Sequence, residues 1–229
     1  MTGVLPFVRR WLWLWILAAC ATYLGLHFLQ RTDWYQARLY RQLADGTPPQ
    51  QRQAAIMLAR LGAEKLLLAA LQCDSSTARD YGRRGLEYLW FNAAGEEAYE
   101  MVEAADKAAR NKEYPSALGG LDRLIDKYPR FAEGWNRRAS VYWELGEIEK
   151  SIADSERALA LNPNHYGAWQ GLGLCRLQQG SVAEACRCLR RALKIIPHDQ
   201  ATRDSLHRCE ELLRTFLPRG KRGRSQEVI

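Results

Sequence analysis

Four histidines and six cysteines are the residues of this 229-residue chain with most scope for chemistry. His165 and His198 each follow a proline by two or one residues, in what reads as a turn, and neither has a carboxylate or nucleophile at a diagnostic spacing; His27 and His207 are equally isolated. Cys186-x-Cys188, with Cys175 as a third ligand, invites a metal. On a helix, however, residues two apart point about 200° away from each other, so both thiolates cannot close on one tetrahedral ion. Glycine-rich phosphate loops, His-Glu-x-x-His and Gly-x-Ser-x-Gly are absent. Gly119-Gly120, inside a helical pattern, reads as a place for tight packing rather than phosphate. The expectation is a chain that is not an enzyme, with no metal, no cofactor and no small-molecule substrate.

The elements that would position any binding residues are helical, and no strand alternation occurs anywhere. The 47% apolar and 26% charged composition excludes disordered, collagen-like and multi-span membrane chains. Six cysteines are too few for a disulfide scaffold. The net charge of +7 raises the question of nucleic acid. Residues 1–30 carry two Arg and no acid, and 218–229 carry four bases and one acid, so most of the excess sits at the chain ends. The body between is not built as a basic surface, and no specific nucleic acid is expected.

Residues 11–29 (WLWLWILAACATYLGLHFL) contain no formal charge. As a helix at about 1.5 Å per residue they reach about 28 Å, close to a hydrocarbon core. Arg9 and Arg10 precede them, and Trp11, Trp13, Trp15 and Trp34 sit near the two ends, where indoles favour headgroups. Residues 1–31 therefore read as a single-pass anchor or signal anchor, which places the protein at a membrane. Leu17-Ala18-Ala19-Cys20 also resembles a lipobox with a lipidated Cys20, and cleavage near Ala19-Cys20-Ala21 is a further alternative. The flanking arginines nearly balance, so the sequence sets no side for the body.

Pro129, Pro163 and Pro197 are spaced by 34 residues, as are Trp135 and Trp169, Gly146 and Gly180, and Ala158 and Ala192. Self-similarity at such a period marks stacked supersecondary units. The pattern resembles the tetratricopeptide repeat (TPR) family. Its signature is matched by Trp135, Ala139, Tyr142 and Pro163 in 132–165, and by Trp169, Leu172, Gly173, Ala185, Leu189 and Pro197 in 166–199. A divergent copy in 98–131 keeps Ala105, Ala117, Leu121 and Pro129, with Met101 for the Trp and Lys112 for the Gly. The spacing predicts helices at 132–145, 148–161, 166–179 and 182–195, turned at Gly146 and Gly180. Residues 200–217 read as a capping helix with Leu206, Leu212, Leu213 and Phe216 as its apolar stripe. Residues 218–229 read as a basic disordered tail. Residues 32–95 read as short helical hairpins of HEAT type, with Thr47-Pro48-Pro49 as a turn and Ser76 or Asp74 capping a helix. The fold class is all-α: a right-handed solenoid of about three TPR units plus a cap, preceded by HEAT-like hairpins and a transmembrane helix.

The resemblance implies a concave groove lined by the first helix of each repeat. Its positions here are Tyr99, Val102, Asp106, Ala109 and Arg110, then Glu133, Asn136, Ser140, Trp143 and Glu144, then Gly167, Gln170, Leu174, Leu177 and Gln178. Trp143 falls off the Trp135-Ala139-Tyr142 core stripe and is expected to be an exposed peptide anchor. Asn136 is suited to a peptide backbone, because its amide both donates and accepts. Chaperone-binding TPR domains hold a terminal carboxylate with Lys, Asn and Arg, whereas the matching positions here carry Val102, Asp106, Arg137, Gly167 and Gly171. A groove with Asp106, Glu133 and Glu144 is expected instead to suit a cationic or apolar peptide. The function expected is a membrane-anchored adaptor or scaffold that binds a protein or peptide. The alternatives are an obligate structural subunit without a free groove, and an assembly factor of the cytochrome c maturation type.

Overall fold

The computed structural model describes residues 32–216 together with Trp15, Ala19, Cys20 and Thr22. Apart from those four residues the anchor expected at 11–29 lies outside the described residues, as does the tail at 218–229. Among the described residues no helix is long and apolar enough to cross a membrane. Within 33–216 there are eleven helices and no strand. They are α1 (Asp33–Asp45), α2 (Pro48–Arg60), α3 (Glu64–Ala70), α4 (Ser76–Phe91), α5 (Glu96–Arg110), α6 (Tyr114–Lys127), α7 (Ala132–Glu144), α8 (Ile148–Leu161), α9 (Tyr166–Gln178), α10 (Val182–Ile195) and α11 (Gln200–Phe216). The chain divides into two compact units after Leu86.

In the first unit, α1 packs on α2 and on α3. Pro48 starts α2 rather than ending in a turn, with Thr47 and Gln50 forming a capping box before it. The cap of α4 is Ser75, whose Oγ accepts from the Ala78 N–H at 3.2 Å; neither Ser76 nor Asp74 does this. Gly82 and Gly85 let α4 lie close on α3, since a Cβ at either would come within 2.8 Å of Ala70 or Leu67. The turn after α2 gives the HEAT-type reading no support. Leu61, Gly62 and Ala63 donate to Met57, Ala59 and Leu58, with Gly62 at φ 69°. Leu145, Gly146 and Glu147 donate to Val141, Trp143 and Tyr142 in the same way, and the pattern recurs at Gly180. The first hairpin therefore turns as the repeats do.

In the second unit each helix from α5 to α11 packs on the next, and the first helices also touch each other, α5 with α7, α7 with α9, and α9 with α11. The prolines and tryptophans keep their period through one hydrogen bond. Trp135 Nε1 donates to the Pro129 carbonyl at 3.0 Å, and Trp169 Nε1 to the Pro163 carbonyl at 2.9 Å. Small residues set the helix approach: a Cβ on Gly173 would lie 2.9 Å from Leu189. Gly120 is in ordinary contact with Ala105 and Gly119 faces open space, so the Gly-Gly pair enforces no tight packing. On α11 the buried face is Thr202, Ser205 and Cys209, flanked by Leu206 and Leu213. Leu212, expected in that stripe, is 38% exposed.

Candidate peptide-binding groove

The row of first helices α5, α7 and α9, with Ser151 and Ser155 of α8, lines an open cavity of about 540 Å³. Asp106, Ala109 and Arg110 line it from α5, and Lys112 and Tyr114 from the turn that follows. Asn136, Ser140, Trp143 and Glu144 come from α7, and Gly167, Gly171 and Leu174 from α9. The two glycines leave the α9 side of the floor open: nothing approaches a Cβ on Gly171 closer than Ser155 Oγ at 3.8 Å.

Several expected groove residues lie elsewhere. Glu133 is buried at 3% exposure; its Oε2 faces His165 Nε2 at 2.8 Å and its Oε1 accepts from Arg137 Nε at 2.6 Å. Leu177 packs with Val182, Leu206 and Leu213 around the buried Cys186 and Cys209. Gln170 donates to Asp199 Oδ2 at 3.1 Å and to the Thr202 hydroxyl, tying α9 to the cap helix. Tyr99 sets its ring edge against Phe91 at 6.2 Å, and Gln178 is exposed at the end of α9; neither lines the cavity. Val102 is fully buried. Trp143 is half-buried against the cluster of Ile148, Ile152 and Leu172 rather than standing free.

The polar groups that remain available are fewer and of a different sign than expected. The Asn136 carboxamide and the Trp143 indole N–H make no hydrogen bond among the described residues, whereas the Trp135 and Trp169 indoles both donate to prolyl carbonyls. Arg137 reaches Asp106 Oδ2 at 3.4 Å and lies over the Phe91 ring at 4.7 Å, so it is engaged. Burial pushes the Asp106 carboxyl above its ordinary value, with Arg137 pulling it down and Glu133 adding to the rise. Burial also pushes on Glu133, but the His165 hydrogen bond and the Arg137 charge outweigh it and hold that carboxyl below its ordinary value. With Glu133 removed and Asp106 paired, Arg110, Lys112 and Glu144 are the lining charges that make no ion pair with a described residue. The acidic groove expected from the sequence is thus a mixed one.

The sequence gives no sign of His165 as a site residue, because its carboxylate lies 32 residues earlier, near the start of the same window. Its Nδ1 accepts the Ala168 N–H at 3.2 Å, capping α9, so the proton sits on Nε2 and is donated to Glu133. Trp90 stacks on the ring at 5.1 Å. Cys186 and Cys188 point to different clusters, Cys186 with Cys209 and Cys188 with Ala168, Leu172 and Cys175. Among the described residues no group of His, Cys, Asp or Glu is placed to hold a metal.

A family profile described as tetratricopeptide repeat matches residues 102–156 and 138–200. Residues 102–200 are tetratricopeptide repeats. The repeat segment is similar to a TPR repeat-containing protein of Rhizobium etli, 34% identical over 113 residues, which are 49% of this chain and 55% of that one. It is also similar to the Hsp70-Hsp90 organizing protein of Triticum aestivum, 25% identical over 114 residues, 50% of this chain and 20% of that one. The match therefore spans about half, or less, of these relatives. Among solved structures, the first TPR of Spaghetti (RPAP3) bound to HSP90 peptide SRMEEVD is similar in fold, with a TM-score of 0.50 at 23% identity, over 51% of this chain and 93% of that one. The Sgt2 TPR domain from Aspergillus fumigatus gives a TM-score of 0.50 at 22% identity, over 52% and 80%.

Proposed function

We propose that this chain is a protein-interaction adaptor whose groove on α5, α7 and α9 holds an extended segment of a partner protein, and that residues 11–29 fix it to a membrane. The observation that carries the groove reading is the pair of unengaged polar groups on α7. The Asn136 carboxamide suits a peptide unit, and the Trp143 indole, whose N–H makes no hydrogen bond to a described residue, lines the same cavity as Leu174. The action is reversible binding, with no bond made or broken.

The partner differs in chemistry from a chaperone tail. The RPAP3 structure is titled with an HSP90 peptide, and the wheat relative is named for Hsp70 and Hsp90. At the positions where chaperone-binding TPR domains place their basic clamp, Val102 is buried, Gly167 and Gly171 have no side chain, Asp106 is acidic, and Arg137 is held by Glu133 and Asp106. A terminal carboxylate finds no free cation there.

A photo-crosslinking residue at Ser140, exposed on the cavity, tests the reading in intact membranes, with exposed Tyr88 as the site outside it. The expected result is a discrete adduct from position 140 that Asn136→Ala and Trp143→Ala weaken. An adduct of equal yield from position 88, or one unaffected by either substitution, refutes the groove. Resistance of the full chain to alkaline carbonate extraction, lost on deleting residues 1–31, tests the anchor.

A further inference from the structure

The repeat turns at 112, 146 and 180 share one backbone form, and one of them holds a residue poorly suited to it. Lys112 lies at φ 62°, beside 75° at Gly146 and 76° at Gly180. Its turn makes the same three bonds as the others, from Asn111, Lys112 and Glu113 to the carbonyls of Lys107, Ala109 and Ala108. The left-handed region costs a residue with a Cβ, and such strain persists where something else is gained. No polar interaction within the described chain offsets it. The Lys112 ammonium makes no ion pair or hydrogen bond with a described residue, and its side chain is exposed on the groove cavity.

Two neighbours share that condition. Arg110 is exposed on the same cavity and forms no ion pair; its charge acts on Asp106, one helical turn before it, but that carboxylate is engaged by Arg137. Tyr114, the first residue of α6, also lines the cavity, and its hydroxyl has no partner among the described residues. The nearby acid, Glu113, accepts from Asn111 at 3.4 Å and does not line the cavity. Three donors, two of them cations, therefore stand at the first-repeat end of the groove without an acceptor.

We infer that Arg110, Lys112 and Tyr114 form an acid-selecting subsite, which receives an Asp or Glu side chain of the peptide bound in the groove. This rests on the groove reading above and adds the chemistry of the ligand. The subsite lies outside the five positions at which chaperone-binding TPR domains clamp a terminus. It also accounts for Lys112: glycine would relax the turn but remove one of the two free cations.

The probe is a display library of random twelve-residue peptides, selected on the purified full-length chain and measured by fluorescence anisotropy. Peptides selected on the wild type are expected to carry Asp or Glu at one fixed position. Lys112→Gly, whose backbone favours the turn, and Arg110→Ala are each expected to weaken the best peptide on the order of tenfold, the scale of one charge-assisted hydrogen bond. Changing that acid to Ala in the peptide should abolish the difference between wild type and Lys112→Gly. Peptides that depend on Asn136 but carry no fixed acid, or that bind Lys112→Gly within about twofold of wild type, overturn the subsite and leave the groove standing. Selection of no peptide that Asn136→Ala or Trp143→Ala weakens overturns the groove and the subsite together.

Discussion

Replacing Lys112 by glycine is expected to stabilise the fold while it weakens binding. The left-handed conformation at φ 62° costs a residue with a Cβ about 1–2 kcal/mol. Glycine removes that cost but leaves the unfolded chain freer by about 0.5–1 kcal/mol. The balance favours Lys112→Gly by roughly 0.5–1 kcal/mol, which for a chain of this size raises Tm by about 1–4 °C. Urea unfolding followed by far-UV circular dichroism reads it as a higher midpoint at unchanged m. Gly146→Ala supplies the mirror experiment. A Cβ there meets no atom within 4 Å and φ is 75°, so its cost is all backbone. The midpoint should fall by an amount equivalent to about 1 kcal/mol. A lower midpoint for Lys112→Gly, or no change for Gly146→Ala, would refute the assignment of strain to this turn. The first result would also mean that the Lys112 side chain supports the fold, and that its place on the cavity is incidental.

Three further substitutions test other parts of the structure. Glu133→Gln removes the charge that Arg137 and His165 share in a buried site and should cost about 3–5 kcal/mol near neutral pH. Because the folded Glu133 carboxyl lies below its ordinary value, its contribution is full above the ordinary carboxylate range and is lost as pH falls through the lowered folded value. The gap in Tm between wild type and Glu133→Gln should therefore narrow in acid; a constant gap would contradict the pairing. Gly173→Ala, which drives a methyl to 2.9 Å from Leu189, should cost about 1–3 kcal/mol, while Gly171→Ala, mid-helix and 3.8 Å from its nearest neighbour, should stabilise by about 0.5–1 kcal/mol. Equal midpoints for the two would show that α9 and α10 yield easily. Ser75→Ala should cost about 1 kcal/mol through loss of the α4 cap, with Ser76→Ala much milder, and reversal of that order in urea melts would place the cap elsewhere.

The helices of the repeats were readable because the residues that repeat are those whose contacts repeat. Pro129 and Trp135 are joined by the same indole-to-carbonyl bond as Pro163 and Trp169, so conserving one distance in space conserves 34 residues in the chain. The turn at Gly62 shares the geometry but not this bond. Eleven residues before Gly62 stands Gln51, where Gly146 and Gly180 have Trp135 and Trp169. Gln51 is buried, with its Nε2 reaching the Ala44 carbonyl at 3.5 Å and its Oε1 without a partner. Without the tryptophan the hairpin carries no repeat signature, and the short helices of 32–95 read as HEAT-type hairpins instead. The cap helix forms where its pattern places it, with Leu206 and Leu213 against the core, but its buried face is not the leucine stripe. Thr202, Ser205 and Cys209 are small enough to be buried, so size rather than hydrophobicity chose the face.

The groove was less readable, because pairing decides which charges remain and pairing does not follow residue type. The last residue of each repeat window illustrates this. Phe131, His165 and Asp199 are spaced by 34 residues. His165 and Asp199 both cap the helix that follows, accepting from Ala168 at 3.2 Å and Thr202 at 2.8 Å, and both reach back to the preceding first helix, at Glu133 and Gln170. Phe131 instead joins the apolar cluster of Ala98, Val102 and Leu121. Two residues assigned to the groove by position are thus tethers between repeats, and the Glu133 tether holds Arg137, which in turn holds Asp106. The charges this chain of pairs leaves over are Arg110, Lys112 and Glu144, of which a count of acids along the first helices finds only Glu144. In a repeat protein a departure from the repeat is therefore the more informative residue when the turn around it is unchanged. At Lys112 the backbone has kept the glycine conformation without the glycine, and its side chain lines the groove cavity without a hydrogen bond or ion pair to a described residue.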